Sequence, residues 1–281
     1  MDCPKRTVSA TFAPAARTRA PFAGQDTVKL SNRTAIVTGA GSGIGKSIAA
    51  ALAAEGARVV IADLRHALES AAELDARAPA PGSVRGLECN VALEADCTRL
   101  AEFAQAEFGG ADILVNNAAI FSSLKPKPFE EISAEEWRAV MEVNTLGPFL
   151  CCKAVLPQLK RSPAARIINI SSGVAFKGNA LYLHYVASKG AVLSMTRSLA
   201  KELGQHNILV NGIAPGFTMS EGVAANPDLI AGARGPSLAG RVLARDMYPA
   251  DLVGAAVFFA GPDSAFITGQ TLVVDGGAYF H

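Results

Sequence analysis

Seven short runs rich in β-branched and aliphatic residues, at 34–38, 59–62, 84–89, 113–115, 166–170, 208–213 and 271–274, recur along the chain from residue 34 onward. Longer Ala-rich stretches lie between them, among them 46–55, 95–108, 134–159 and 187–203, each long enough for a crossover helix. Strands that alternate with helices predict right-handed βαβ units and a parallel sheet covered on both faces. The expected fold class is therefore α/β, a doubly wound sheet of about seven parallel strands with helices on both faces. Ser133 and Glu136 have the spacing of a capping box and are expected to start the helix that carries Trp137 and Asn144. No repeat and no linker appear after residue 30, so residues 30–281 read as one domain.

Residues 1–29 break the pattern. Pro4, Pro14 and Pro21, with Lys5, Arg6, Arg17 and Arg19 against Asp2 and Asp26, read as a flexible N-terminal tail. An organelle transit peptide shares that Arg-rich, acid-poor composition, whereas the apolar core of a secretory signal is missing.

Composition narrows the function classes. The 281 residues are 50% hydrophobic and 18% charged, enough apolar material for a sizeable core. A formal net charge of +1 argues against nucleic acid or an anionic membrane surface as the main partner. No apolar run reaches the roughly 18 residues of a spanning helix, so no membrane partner is expected. Cys3, Cys89, Cys97, Cys151 and Cys152 show neither C-x-x-C nor zinc-site spacing and read as reduced, mostly buried thiols, which suits a cytoplasmic protein.

The chemistry sits at predicted strand ends. Thr38-Gly39-Ala40-Gly41-Ser42-Gly43-Ile44-Gly45 follows the first strand and opens a helix, where glycines allow a tight turn and the helix N-terminus favours a pyrophosphate. The spacing departs from G-x-G-x-x-G. Asp63 ends the second strand, 18 residues after Gly45, where a carboxylate accepts from ribose hydroxyls and repels a 2′-phosphate. That favours NAD over NADP, while the neighbouring Arg65 pulls the other way. Asn90-Val91, Asn116-Asn117-Ala118-Ala119, Ser171-Ser172 and Pro215-Gly216-Phe217-Thr218 end the next four strands, the edge where open α/β sheets bind ligands. Tyr185 and Lys189 stand four residues apart on one helix face, with Ser172 thirteen residues before the tyrosine. A cation beside a phenol favours the phenolate and makes tyrosine an acid/base near neutral pH.

Together these motifs, with the closing Val274-Asp275-Gly276-Gly277, resemble the short-chain dehydrogenase/reductase family from about residue 30 to the C-terminus. Within it, 182–189 and 266–277 look most like bacterial secondary-alcohol dehydrogenases such as (S)-1-phenylethanol dehydrogenase. The resemblance implies a Rossmann-like fold, a homotetramer, and NAD as cofactor. Tyr185 would be the acid/base, Lys189 would lower its pKa and bind the nicotinamide ribose, Ser172 would orient the substrate oxygen, and Asn144 would hold a relay water. Cofactor contacts would fall at Gly39, Ser42, Gly43, Ile44, Gly45, Asp63, Asn90, Val91, Asn117, Ala118, Tyr185, Lys189, Pro215, Gly216 and Thr218. Asn90 stands where the family commonly has Asp, and its carbonyl can still accept from adenine. Substrate contacts would include Ser172, Val174, Tyr182, Tyr185 and Phe217, with Phe121, Phe176 and Met219 nearby and 219–243 as a mobile lid. His184, beside the tyrosine, reads as structural. No metal is called for.

The expected activity is NAD-dependent interconversion of a small, largely apolar secondary alcohol and its ketone. The alternatives are an NADPH-dependent 3-oxoacyl thioester (acyl carrier protein) reductase and a non-catalytic dinucleotide-binding protein. The apolar faces of 134–159 (Val140, Val143, Phe149, Val155) and 187–203 (Val192, Met195, Leu199), with the aromatic C-terminus, are expected to serve subunit contacts and a neighbour's active site.

Overall fold

Within each strand successive apolar side chains point to opposite faces, and both sets need cover. In the computed structural model, which describes residues 28–80 and 82–280, the strands are β1 (Thr34–Thr38), β2 (Arg58–Asp63), β3 (Val84–Glu88), β4 (Ile113–Asn116), β5 (Arg166–Ile170), β6 (Leu209–Pro215) and β7 (Thr271–Val274). They form one seven-stranded sheet in the order β3-β2-β1-β4-β5-β6-β7, and every neighbouring pair is parallel. The expected doubly wound architecture is what the chain adopts, with strand ends shifted by one or two residues.

The two cores follow the strand period. Ala35, Val37, Val59, Ile61, Ile113 and Val115 pack with Ile48 and Leu52 of α1 (Gly43–Ala54), Leu74 of α2 (Ala67–Asp75), and partners on a later helix of the same layer. The intervening Ile36, Val60, Ala62 and Leu114 face the other layer. There they meet Leu100 of α3 (Glu94–Phe108) and helices further along the chain. Because all strands run the same way, their carboxyl ends share one edge, and strand order reverses between β1 and β4.

The stretch 134–159, expected as one helix, is α4 (Ala134–Met141), a π-helical turn (Glu142–Leu146) and α5 (Gly147–Leu159). Its mean hydropathy of 1.3 makes it long and apolar enough on average to cross a membrane, contrary to the sequence expectation. In the fold, however, Leu150, Cys151, Val155 and Leu159 form one wall of the second core, which is the behaviour of a core helix. Ser133 caps α4 as expected, accepting from Glu136 N at 3.1 Å. The reciprocal half of the box is redirected, since the Glu136 carboxylate pairs with Lys127 at 2.7 Å.

Next come α6 (Val174–Lys177) and the 21-residue α7 (Leu183–Leu203). The segment expected as a lid holds α8 (Glu221–Ala224) and α9 (Pro227–Ala239), and α10 (Ala250–Ala260) returns to the first core through Leu252 and Phe259. A chain of amides locks α7 to the sheet. Asn116 Nδ2 donates to Asn169 Oδ1 at 2.9 Å, and Asn169 Nδ2 donates to Thr196 Oγ1 at 2.9 Å.

Residues 1–27 of the expected tail lie outside the described residues, whereas Lys29 pairs with Asp263 at 2.9 Å. The four described cysteines are free and buried. Cys97 and Cys151 approach to 3.7 Å, and this hydrogen bond, with burial, pushes the Cys97 thiol up to about 12. Of the faces expected to meet other subunits, Val140, Val155 and Val192 are core, while Phe149 is half-exposed. At the C-terminus Tyr279 stacks on Phe176 of its own chain at 5.5 Å, and Phe280 is exposed.

Candidate active site

A cavity of about 710 Å³ opens along the carboxyl edge of the sheet. Its wall brings together residues from all seven strand ends: Gly39 and Ser42–Ile44 after β1, Asp63, Asn90 and Val91, Asn117 and Ala118, Ser172, Pro215 to Thr218, and Asp275 after β7. Tyr185 and Lys189 of α7 complete it. Of the expected cofactor residues, Gly45 alone is set back from the wall. A Cβ there would stand 2.3 Å from Gly39 O and 2.5 Å from Asn117 Nδ2, so the glycine is what lets α1 close against the turn.

The turn is held by side chains from neighbouring strand ends. Asn117 Nδ2 donates to Thr38 O (2.9 Å) and Gly39 O (2.8 Å). Thr38 Oγ1 accepts from the amides of Asn117 and Ala118. The Asp63 carboxylate accepts from Gly41 N at 2.8 Å and Arg65 N at 3.0 Å. Asp63 thus stabilises the turn as well as facing the cavity, whereas Arg65 is not among the lining residues. Asn90 Oδ1 accepts from Ala92 N at 3.1 Å, so one lone pair of the carbonyl expected to meet adenine is already engaged.

Tyr185, Ser172 and Lys189 are 7%, 8% and 3% exposed. Burial pushes the Tyr185 phenol up to about 12, and its hydrogen bond with Ser172 pulls the other way. Burial likewise pushes the Lys189 ammonium down to about 8. The Lys189 Nζ donates to Ile170 O at 2.8 Å and stands 5.9 Å from the phenol ring centre. Desolvation is the dominant effect on both groups. Tyr185 is wedged by Phe121, whose ring centre is 4.6 Å away.

Asn144 sits on the π-helical turn, 1% exposed and outside the cavity wall. Its Oδ1 accepts from Ile120 N at 2.7 Å, and its Nδ2 donates to Ile120 O and to Ser188 Oγ. Ser188 in turn donates to Tyr185 O at 2.7 Å. With its amide so engaged, Asn144 ties the loop after β4 to the tyrosine's helix turn. His184 is wholly buried, its Nε2 3.4 Å from Glu136 Oε1, as suits a structural residue.

The remaining wall is apolar. Phe121, Val174, Tyr182 and Phe217 line it as expected, but Phe176 and Met219 do not. The 219–243 segment supplies Val223, Leu229 and Ala233, residues that no local motif marked. Arg241, 8% exposed, donates to Phe217 O and to Arg245 O, buttressing the turn after β6. Ala278 lines the cavity of its own chain. Among the described residues no group of three or more His, Cys, Asp or Glu side chains is placed to hold a metal ion.

The depressed lysine gives a measurable signature. Between about pH 8 and its ordinary 10.5, Lys189 is protonated in the unfolded chain and neutral in the fold, so the unfolded state binds more protons and stability rises with pH. Urea unfolding of wild type and Lys189→Met across pH 8 to 10 should show an extra positive slope in the wild type, approaching about 1.4 kcal/mol per pH unit. Parallel slopes would mean that the lysine titrates as in water.

A family model described as enoyl-(acyl carrier protein) reductase (adh_short_C2) matches residues 39–279. The chain is 38% identical over 247 residues to the short-chain reductase protein NovJ of Streptomyces niveus, covering 86% of this chain and 92% of that protein. It is 39% identical over 261 residues to galactitol 2-dehydrogenase of Agrobacterium fabrum, covering 89% and 98% respectively. Among solved structures, 3-ketoacyl-(acyl-carrier-protein) reductase from Brucella melitensis complexed with NADH superposes with a TM-score of 0.81 at 31% identity, covering 89% of this chain and 100% of that one. The chain belongs to the short-chain dehydrogenase/reductase family, oxidoreductases that use NAD(P) and act on CH–OH groups.

Proposed function

We propose that this protein is an NAD-dependent oxidoreductase that interconverts a small, largely apolar secondary alcohol and its ketone. The observation that carries the reading is the composition of one cavity: a glycine-rich turn and the Asp63 carboxylate at one end, and Ser172, Tyr185 and Lys189 beside apolar Phe121, Val174, Phe217 and Leu229 at the other. Likeness to (S)-1-phenylethanol dehydrogenase in 182–189 and 266–277 points the same way.

The residues fit a dinucleotide. The turn already holds an anion, since Gly43 N donates to the Glu221 carboxylate at 2.6 Å, and Asp63 faces the cavity where a ribose would lie. When bound, the nicotinamide supplies the hydride acceptor or donor. Tyr185 then handles the proton at the substrate oxygen, and Ser172 hydrogen-bonds that oxygen as its charge changes. At neutral pH the buried phenol is protonated, the form needed to donate to a ketone oxygen. Oxidation requires that proton to leave, and the Lys189 cation favours the phenolate once it forms. Asn144 acts through Ser188 on the seat of Tyr185 and is a positioning residue.

The second reading, an NADPH-dependent 3-oxoacyl thioester reductase, draws support from the likeness to the Brucella carrier-protein reductase. Asp63 weighs against it by repelling a 2′-phosphate. A homotetramer in the cytoplasm is part of the proposal, with half-exposed Phe149 as one apolar contact available for it.

Tyr185→Phe should lower kcat at least about 10²-fold while NADH affinity stays within about twofold, because only the ionisable oxygen is lost. Near-normal turnover would remove Tyr185 from the mechanism. Asp63→Ala should narrow or invert the ratio of kcat/KM for NAD over NADP, and a wild type that already prefers NADP would favour the thioester reading. Light scattering at low micromolar concentration should give four times the 29.0 kDa chain mass, and a monomer mass would end the tetramer proposal.

A further inference from the structure

The glycine-rich turn is occupied by an anion of the protein's own, supplied by the lid. Glu221 opens α8, and its carboxylate contact with Gly43 N joins positions 178 residues apart. Gly43 begins α1, so its N–H is the first of the helix's unpaired donors, and the carboxylate satisfies it at the positive end of the helix. Ser220 lies over the same residue: a Cβ on Gly43 would stand 3.2 Å from the Ser220 Cβ. Gly43 and Ser220 line the cavity.

The lid is fixed there by other contacts. Val223 is 3% exposed and Leu229 fully buried, packed in a cluster with Tyr182 and Tyr185. Asn226 Nδ2 donates to Ser122 O at 2.7 Å, and Asn226 Oδ1 caps α9 through Leu229 N. Glu221 is therefore held over the turn by a docked element.

We propose that Glu221 is an internal stand-in for the dinucleotide pyrophosphate, competing for the Gly43 amide so that phosphate binding releases α8. The inference rests on the dinucleotide reading of this cavity. One N–H cannot serve a carboxylate and a phosphate oxygen at full strength, and two anions at one helix N-terminus repel. Docking of α8 and binding of phosphate groups therefore oppose each other, and the coupling is reciprocal. Adenosine, which lacks the phosphates, does not compete for the Gly43 amide.

Calorimetric titration of the full chain with adenosine, ADP-ribose and NADH tests this on wild type and Glu221→Gln, which keeps the side-chain shape and removes the charge. ADP-ribose and NADH should bind the variant about three- to tenfold more tightly, the lower part of the range reflecting the exposure of Glu221. Adenosine should bind both proteins equally, which also shows the variant to be folded. In hydrogen exchange, the Ala224, Ala225 and Asn226 amides, bonded within the α8 turn, should exchange faster in wild type once ADP-ribose is bound. Phosphate ligands that bind the variant no more tightly than wild type, an equal gain for adenosine, or unchanged exchange would each overturn the proposal while leaving the dinucleotide reading intact. A wild type and variant that bind neither NADH nor ADP-ribose would overturn both.

Discussion

Every functional feature depends on the parallel register of a sheet buried on both faces. Parallel strands need crossover connections, and helices crossing back over the two faces remove the apolar side chains of each strand from water. The consequence is directional. All strands deliver their carboxyl ends to one edge, and the reversal of order between β1 and β4 opens a crevice there. Backbone amides freed at the start of α1 and polar side chains after β2, β3, β4 and β5 then face a common space. Each strand end also stabilises its neighbours: Asn117 and Asp63 satisfy the backbone of the glycine-rich turn. The cofactor end is in this sense built of backbone, and side chains set its shape.

The chemical centre depends on burial in a different way. A phenol pushed up to about 12 and an ammonium pushed down to about 8 are each displaced toward the neutral form by lack of solvation. Both groups are thereby poised for a change of environment, because in a low-dielectric site a nearby charge acts more strongly than in water. Substrate and cofactor would supply such a change by bringing polar groups against groups that otherwise see Ile170 O and Phe121. The π-helical turn contributes through geometry. It aims Asn144 across to α7, where Ser188 links it to the Tyr185 carbonyl, so the helix that carries Tyr185 is tied to this turn.

What was legible in the sequence was local or periodic. The strands announce themselves by β-branched runs, and the glycine-rich turn, Ser172, Tyr185 and Lys189 are recognisable by spacing alone, since i and i+4 on a helix share a face whatever surrounds it. The π-helical turn left no such mark, because one widened turn leaves the apolar stripe of 134–159 nearly unchanged. The same stripe is why that segment averages apolar enough for a membrane while serving as a core helix. The burial that raises the Tyr185 pKa is hidden from the sequence for a related reason. Sequence spacing places a cation near the phenol, but desolvation depends on Phe121 and the lid, which approach from distant parts of the chain.

The least legible half of the cavity is also the half that, under the proposed function, would meet the substrate. Val223, Leu229 and Ala233 reach the wall only through the docking of α8 and α9, a segment whose Gly, Pro and Ala content names neither a strand nor a strong amphipathic helix. This division of labour fits the range of proteins that the chain resembles, a galactitol dehydrogenase and a carrier-protein reductase among them. Under the proposed function, the sheet edge that holds the turn and the tyrosine would make few demands on substrate shape beyond an oxygen within reach of Ser172. The α8–α9 segment packs on the cavity wall through side chains and pairs with no strand of the sheet, so its pocket can be recast without disturbing strand pairing. Because α8 bears on both the Gly43 amide and the apolar cluster around Tyr185, a change made there for the sake of one end of the cavity is felt at the other.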